Sequence, residues 1–476
     1  MFNGNLNYRQ LYIDGQWIDP SHTDTRAIIN PATDSICGNV PAGNAQDVDR
    51  AVAAAKRAFT SWSQYSTQQR AGFLQAIADK IKQRAAQFSQ IISLELGAPA
   101  KIADAIHVGL PLSILASYVK LAELLDKEET IGHSRIVKEP IGVCGFITPW
   151  NYPLHQIICK VAPALAAGCT MVLKPSDQTP LSAFLLAEVM HDVGLPPGVF
   201  NLVSGKGAVV GEAIAKHPDI ALVSITGSTA SGVRVAELAA ASLKRVCQEL
   251  GGKSANIILD DADFTKAIKA NIYDLATNSG QTCSALTRMF VPRQRQDEVA
   301  TMAAQFAANI KIGFPDESDV RMGPLVSQRQ RESVIQYIQA GIDEGATLVC
   351  GGVELPAGFT TGAFVQFTIF SNVSNAMSIA QEEIFGPVLC IIPYDTEAEA
   401  IAMANDSIYG LSGAVWSGEK ERAIAVARQL RTGQVAINGG KFNPQAPFGG
   451  YKHSGNGREM GVHGLNEFLE IKALHL

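Results

Sequence analysis

Gly142-Val143-Cys144-Gly145-Phe146-Ile147 is a short β-rich run. It is followed by Thr148-Pro149-Trp150-Asn151-Tyr152-Pro153 and, after an apolar interval, by a second such run, Thr170-Met171-Val172-Leu173-Lys174. Further β-rich runs lie at 199–203 and 220–225, with helical segments over 182–192 and 208–216 between them. Strands that alternate with helices in this way predict a parallel sheet covered on both faces, because each crossover must pack back onto the sheet. A second such region opens at 254–259 and 287–291 and continues through 347–349 and 388–392. Upstream, Leu11-Tyr12-Ile13 reads as a strand closed by a turn at Asp14-Gly15. From Ala45 to about Lys127 the pattern is helical, with Val48, Ala51, Val52, Ala55 and Phe59 recurring at three and four. Ser66-Thr67-Gln68-Gln69 predicts a capping box that opens a second helix through Phe73, Ile77 and Ile81.

With 476 residues, the chain is too long for one ordinary core, so two or three domains are expected. Hydrophobic residues make up 47% and charged residues 18%, a globular balance. A formal charge of −6 offers no general basic field, so neither nucleic acid nor a membrane surface is an expected partner. The eight cysteines, at 37, 144, 159, 169, 247, 283, 350 and 390, show no C-x-x-C and no His cluster. That spacing argues against a metal site and a disulfide framework, and predicts a reducing compartment. Residues 1–5 lack the basic and apolar regions of a signal peptide, and the apolar stretch 161–173, interrupted by Pro163 and Gly168, is too short to span a bilayer. A soluble, cytoplasmic protein is the expectation.

The chemistry is concentrated in Asn278-Ser279-Gly280-Gln281-Thr282-Cys283-Ser284. A structural cysteine normally sits in an apolar run, since a free thiol packs as a small hydrophobe. Cys283 instead follows small polar residues and a Ser-Gly break in the backbone, the kind of place where a side chain can be presented to a cleft. Three other segments accompany it: Thr148 to Pro153 as quoted, Gln248-Glu249-Leu250-Gly251-Gly252-Lys253, and Gln381-Glu382-Glu383-Ile384-Phe385-Gly386-Pro387. In this order they resemble the aldehyde dehydrogenase superfamily, from about Tyr12 to the C-terminus. The segment around Cys283 resembles that family's Gly-Gln-x-Cys signature, and Glu249-Leu250-Gly251-Gly252 its glutamate signature.

The resemblance implies a Rossmann-like cofactor domain (1–125 and 140–250), an α/β catalytic domain (251–450) and a small β oligomerisation element (126–139 and 460–476). It implies oxidation of a small aldehyde to a carboxylic acid with NAD or NADP in a homodimer or homotetramer. Cys283 would be the nucleophile: hydride cannot leave a planar carbonyl until a nucleophile makes the carbon tetrahedral, and a thiolate can then form a cleavable thioester. The Asn151 amide and the backbone N–H of Cys283 would hold the developing oxyanion. Glu249, expected at the end of a helix over 236–248, would be the base for hydrolysis, with Leu250 and the glycines leaving it poorly solvated. Lys160 and Glu459 also match family positions.

For the cofactor, the resemblance implies contacts at Ile147, Trp150, Lys174, Ser176, Asp177, Gly207, Gly211, Gly227, Ser228, Glu383 and Phe385. Gly205-Lys206-Gly207-Ala208-Val209-Val210-Gly211 lacks the usual Gly-x-Gly-x-x-Gly spacing, whereas Thr226-Gly227-Ser228-Thr229 ends a strand where free N–H groups could meet a pyrophosphate. Many NAD-preferring relatives carry Glu at the position of Asp177, so the shorter side chain leaves NAD against NADP open. The substrate entrance would comprise Tyr152, Gln156, Thr282, Ser284, Lys441 and Phe448, with Lys441 suggesting a polar or anionic aldehyde. Arg245, Arg458 and Glu470 match positions that brace subunits in some relatives. Two other readings stand beside this one: a CoA-acylating semialdehyde dehydrogenase, which typically lacks the glutamate base, and a non-enzymatic scaffold.

Overall fold

The computed structural model describes residues 6–122, 125 and 128–476. The end of the helical stretch expected to Lys127, the first two residues of the 126–139 element and the N-terminal residues 1–5 lie outside these.

Two sheets built around parallel strands carry the fold. The first has eight strands in the order Gly455–Asn456, Arg245–Glu249, Leu222–Thr226, Val143–Ile147, Thr170–Lys174, Phe200–Leu202, Leu11–Ile13 and Gln16–Ile18. Its five central strands are mutually parallel. From Val143–Ile147 the chain first builds outward on one side, through Thr170–Lys174 and Phe200–Leu202. It then crosses to the other side for Leu222–Thr226 and Arg245–Glu249. Such a reversal opens a crevice at the carboxyl ends of the strands, because successive crossovers leave in opposite directions there. Those ends carry Ile147, Lys174, Thr226 and Glu249, with Ile147 opposite Lys174 and Thr226 opposite Glu249.

The second sheet has seven strands, in the order Thr347–Cys350, Thr368–Ser371, Val388–Tyr394, Arg288–Pro292, Ala255–Ile258, Ser412–Trp416 and Gln434–Ile437. All its pairs are parallel except the first. A third, antiparallel sheet joins Glu129–Ile131 and Ser134–Pro140 to Leu469–His475.

Local signals explain several elements. The helix Thr67–Gln83 begins with the expected capping box: Ser66 accepts from the Gln69 N–H, and the Gln69 side chain accepts from the Ser66 N–H. The helix Pro153–Ala167 starts on a proline, whose missing N–H costs nothing at a first turn, and stops at Gly168 with φ 93°. All fifteen of its residues are buried, so everything it presents toward the crevice is held rigidly. The helical run Ala100–Leu121 is long and apolar enough to cross a membrane by length and composition, which the sequence reading overlooked. Half of its most apolar window is buried in the fold, and it packs on Thr67–Gln83 and Pro153–Ala167.

Two expectations fail. No helix reaches Glu249: the helix Thr229–Ala240 ends early, Leu243 takes φ 52°, and Arg245–Glu249 is a strand. Parallel pairing with Leu222–Thr226 outweighs the local helical pattern. The C-terminal part of the β element expected over 460–476 is strand only from Leu469, because Gly461–Asn466 is a short helix.

Candidate active site

Cys283 sits on backbone wound the unusual way. Asn278, Ser279 and Gly280 have φ of 53°, 56° and 73°, three consecutive left-handed residues immediately after the helix Phe264–Ala276 and Thr277. The break expected at Ser279-Gly280 is therefore longer than expected and includes two residues for which this conformation is unfavourable. Hydrogen bonds hold it. Asn278 donates its amide to the Asn151 carbonyl at 2.8 Å, Gln281 donates to the Asn278 carbonyl at 3.0 Å, and Ser279 Oγ donates to the Gly323 carbonyl at 2.9 Å. The Gln281 side chain also accepts from the Val326 N–H at 2.9 Å, tying the loop to the opposite wall.

Glycine makes room for this loop. A Cβ on Gly280 would stand 2.3 Å from the Gly386 backbone, and one on Gly252 would stand 2.3 Å from the Cys283 carbonyl oxygen. A Cβ on Gly251 would lie 2.4 Å from Glu383 Oε2. The two signature glycines thus let the Cys283 loop and Glu383 approach one strand exit. Glu383 Oε1 accepts from the Gly252 N–H at 2.9 Å.

These segments meet around a cavity of about 270 Å³. Trp150, Asn151, Gly227, Ser228, Cys283, Glu383 and Phe385, all expected from the sequence, line it. So do residues the sequence reading missed, notably Gln330, Ser333 and Tyr337 from the helix Gln328–Asp343. Gln330 donates to the Phe385 carbonyl at 3.1 Å, and Phe385, itself at φ 57°, meets the Trp150 ring edge to face with centroids 5.2 Å apart. Asn151 is 3% exposed and donates its amide to the Gln281 carbonyl at 3.0 Å, two residues from the thiol. The Gly227 N–H donates to the Glu249 carbonyl at 3.0 Å, and Ser228 caps the helix Thr229–Ala240 through Ser231 N–H.

Electrostatics single out the same residues. Burial first, then the Glu383 and Glu249 carboxylates, push the Cys283 thiol above its ordinary range. Burial also lifts the Glu249 carboxyl well above the carboxylate range; Glu459 adds to this while Lys160 and Arg458 oppose it. Glu249 is 4% exposed, and its Oε2 has no hydrogen-bond partner among the described residues. The expectation of a poorly solvated glutamate thus holds, although on a strand. Burial raises Glu383 to about 7 against the Gly252 N–H and Lys253. Behind Glu249, the Lys160 ammonium donates to Thr226 Oγ1 at 2.7 Å and pairs with Glu459 in a buried contact.

Lys174, Ser176 and Asp177 lie outside the cavity lining, at and just after the end of the strand Thr170–Lys174, where Lys174 pairs with Ile147. Lys174 donates to the Pro175 carbonyl at 2.6 Å, and its Nζ lies 3.6 Å from Asp177 Oδ1, a buried oxygen with no hydrogen bond among the described residues. Gly207–Gly211 forms one wide helical turn in which Gly211 faces the Ile147 and Lys174 side chains, while Gly207 is exposed.

On the substrate side, Tyr152 and Thr282 share a hydrogen bond of 2.8 Å, and His107, unforeseen from the sequence, stacks on Tyr152 at 4.8 Å. Gln156 and Phe448 are buried. Ser284 and Lys441 line a groove of about 620 Å³ together with Asp274, Asn256, Asn271 and Phe442. Arg245 and Glu470 pair at 3.1 Å, whereas Arg458 donates to the Gly450 and Gly457 carbonyls instead.

A nicotinamide dinucleotide fits this arrangement. The cavity opens at the carboxyl ends of parallel strands, where the strand order reverses, and Thr148, one residue before the lining Pro149, has a buried Oγ1 with no hydrogen-bond partner among the described residues.

The aldehyde dehydrogenase family model matches residues 17–474. A 3-succinoylsemialdehyde-pyridine dehydrogenase of a Pseudomonas species is 52% identical over 474 residues, 98% of each chain. Among solved structures, a mutant of aldehyde dehydrogenase C from Pseudomonas syringae, complexed with NAD+ and octanal, superposes with a TM-score of 0.97 at 50% identity, covering 98% of this chain and 96% of that one. A Mycobacterium tuberculosis aldehyde dehydrogenase complexed with NAD+ gives 0.97 at 43% identity, with 99% of each covered. The chain belongs to the aldehyde dehydrogenase family, enzymes that oxidise aldehydes to carboxylic acids with a nicotinamide dinucleotide.

Proposed function

We propose that Cys283 attacks the aldehyde carbon and that Asn151 Nδ2 and the Cys283 N–H stabilise the resulting oxyanion. Each donor is worth about 3–4 kcal/mol in such sites. The observation that carries this assignment is that Cys283 and Asn151 share the wall of the 270 Å³ cavity. A bound nicotinamide supplies the hydride acceptor. Glu383, Phe385 and Trp150 would hold its ribose and ring, Gly227 and Ser228 the pyrophosphate, and Ile147, Lys174, Ser176, Asp177, Gly207 and Gly211 the adenosine end. Cys283 would then carry the acyl group as a thioester, once its thiol proton has passed to solvent and the carbonyl carbon has lost its hydride. Glu249 removes a proton from water, the water oxygen bonds to the acyl carbon, and the carbon–sulfur bond breaks to release the acid. The raised proton affinity of Glu249 makes its carboxylate a stronger base than an ordinary one.

The groove beside Ser284 carries both Lys441 and Asp274, so a polar aldehyde suits it better than a strictly anionic one. The domain division 1–125 with 140–250, 251–450, and 126–139 with 460–476 follows the three main sheets, except that Gly455–Asn456 returns to the edge of the first. A homodimer or homotetramer through the third sheet would cover Ile471, Leu474 and Leu476, which are exposed at its last strand. Eight free cysteines suit a reducing, cytoplasmic setting.

NAD(P)H formation with a panel of aldehydes, with and without CoA, tests the reading. Turnover without CoA that disappears in Cys283→Ala is expected; strict dependence on CoA would overturn it.

A further inference from the structure

The charge cluster at Asp177 contains a residue far away in sequence. Arg26, on the hairpin strand Thr25–Asn30, donates its Nε to the Asp177 carbonyl at 3.2 Å and places Nη1 3.7 Å from Asp177 Oδ2. Lys174 approaches the other carboxylate oxygen at 3.6 Å. Dinucleotide sites commonly discriminate in one of two ways: an acid accepts from the 2′-hydroxyl of NAD, or an arginine takes the 2′-phosphate of NADP. Here both devices occupy one cluster. Asp177 Oδ1 makes no hydrogen bond among the described residues, and its nearest cation is Lys174 at 3.6 Å. The Arg26 side chain is 40% exposed, and among the described residues its hydrogen bond to Asp177 uses Nε, not the terminal nitrogens.

The strength of the existing contact decides whether the arginine can serve. At 3.7 Å, with one partner substantially exposed, the Arg26–Asp177 pair is of the kind that contributes little. A phosphate dianion offers the guanidinium a paired, charge-assisted contact that is stronger and better matched to its planar fork. With two cations around one carboxylate, the cluster carries a formal charge of about +1, which attracts a phosphate.

We infer that Arg26 is a cofactor-specificity residue: it lets the adenosine end accept NADP as well as NAD, by exchanging its contact with Asp177 for the 2′-phosphate. This rests on the reading that residues 174–177 hold the adenosine ribose.

The test is direct binding to the full-length protein, by NADPH and NADH fluorescence and by calorimetry with 2′,5′-ADP and 5′-ADP. It compares wild type, Arg26→Ala, Arg26→Lys and Lys174→Ala, with thermal melts to establish folding. The wild type should bind both members of each pair. Arg26→Ala should lower the NADPH-to-NADH affinity ratio by about ten-fold or more, with Arg26→Lys in between. A ratio within two-fold of wild type in Arg26→Ala, or a wild type that binds 5′-ADP but not 2′,5′-ADP, overturns the inference. If Lys174→Ala leaves binding of all four probes intact, the adenosine end lies elsewhere, and the underlying reading fails with it.

Discussion

Gly252→Ala should cripple turnover without unfolding the protein. Gly252 does not take a left-handed φ, so alanine meets no backbone penalty there, and the whole effect is contact. Its Cβ would sit 2.3 Å from the Cys283 carbonyl oxygen and 3.2 Å from Leu411 Cβ. Even a tight contact of 3.0 Å requires the Cys283 backbone to retreat by 0.7 Å, the difference between 3.0 and 2.3. A misplacement of about 1 Å at a reacting centre costs about 100-fold. A loss of roughly 30- to 100-fold in kcat/KM follows, about 2–3 kcal/mol of barrier. The assay is steady-state NAD(P)H absorbance, with circular dichroism melts of the same preparation. Gly251→Ala is the companion variant, because its Cβ meets the Glu383 carboxylate at 2.4 Å and should raise cofactor KM more than it lowers kcat. A folded Gly252→Ala protein with kcat/KM within two-fold of wild type would refute the reasoning.

Asn151→Ala removes an oxyanion donor and should lower kcat by about 100- to 1,000-fold, measured on any turned-over aldehyde. Lys160→Met leaves Glu459 in a buried site without its cation and should destabilise the fold by about 3–5 kcal/mol in urea titrations. Alkylation of Cys283 by iodoacetamide, followed by peptide mass spectrometry, should accelerate with pH around a midpoint above about 8.5, the ordinary thiol value. Glu249→Gln should lower that midpoint, and a wild-type midpoint below the ordinary value would contradict the site's electrostatics. Glu95, fully buried and accepting from the Leu181 and Ser182 N–H groups, is pushed up to about 7 by burial, against an ordinary value of 4.5. Between those values the folded chain keeps a proton that the unfolded chain releases, so Glu95's contribution to stability is greatest below about pH 4.5 and falls as the pH rises to about 7. Melting temperatures at several pH values should show a shallower decline over this window in Glu95→Gln.

Local chemistry was legible in the sequence wherever a residue's neighbours along the chain determine its conformation. The Ser66–Gln69 capping box and the break before Cys283 are of this kind. Glu249 was recognised, but its strand was not, because the partner that makes 245–249 extended lies at 222–226. Arg26 faces Asp177 across 151 positions, and nothing along either segment announces the other. Gln330 and Tyr337 reach the cavity from an amphipathic helix whose sequence shows which side is apolar but not which loop its polar residues will touch.

Two of the three left-handed residues before the nucleophile, Asn278 and Ser279, hold a conformation that costs a non-glycine residue about 1–2 kcal/mol. Glycine at Ser279 would ease that strain while removing the Oγ contact to Gly323 and loosening the platform beneath the sulfur. Selection for heat resistance and selection for speed should therefore pull this short segment in opposite directions. Variants recovered from a thermal screen here are expected to be hardier, slower enzymes.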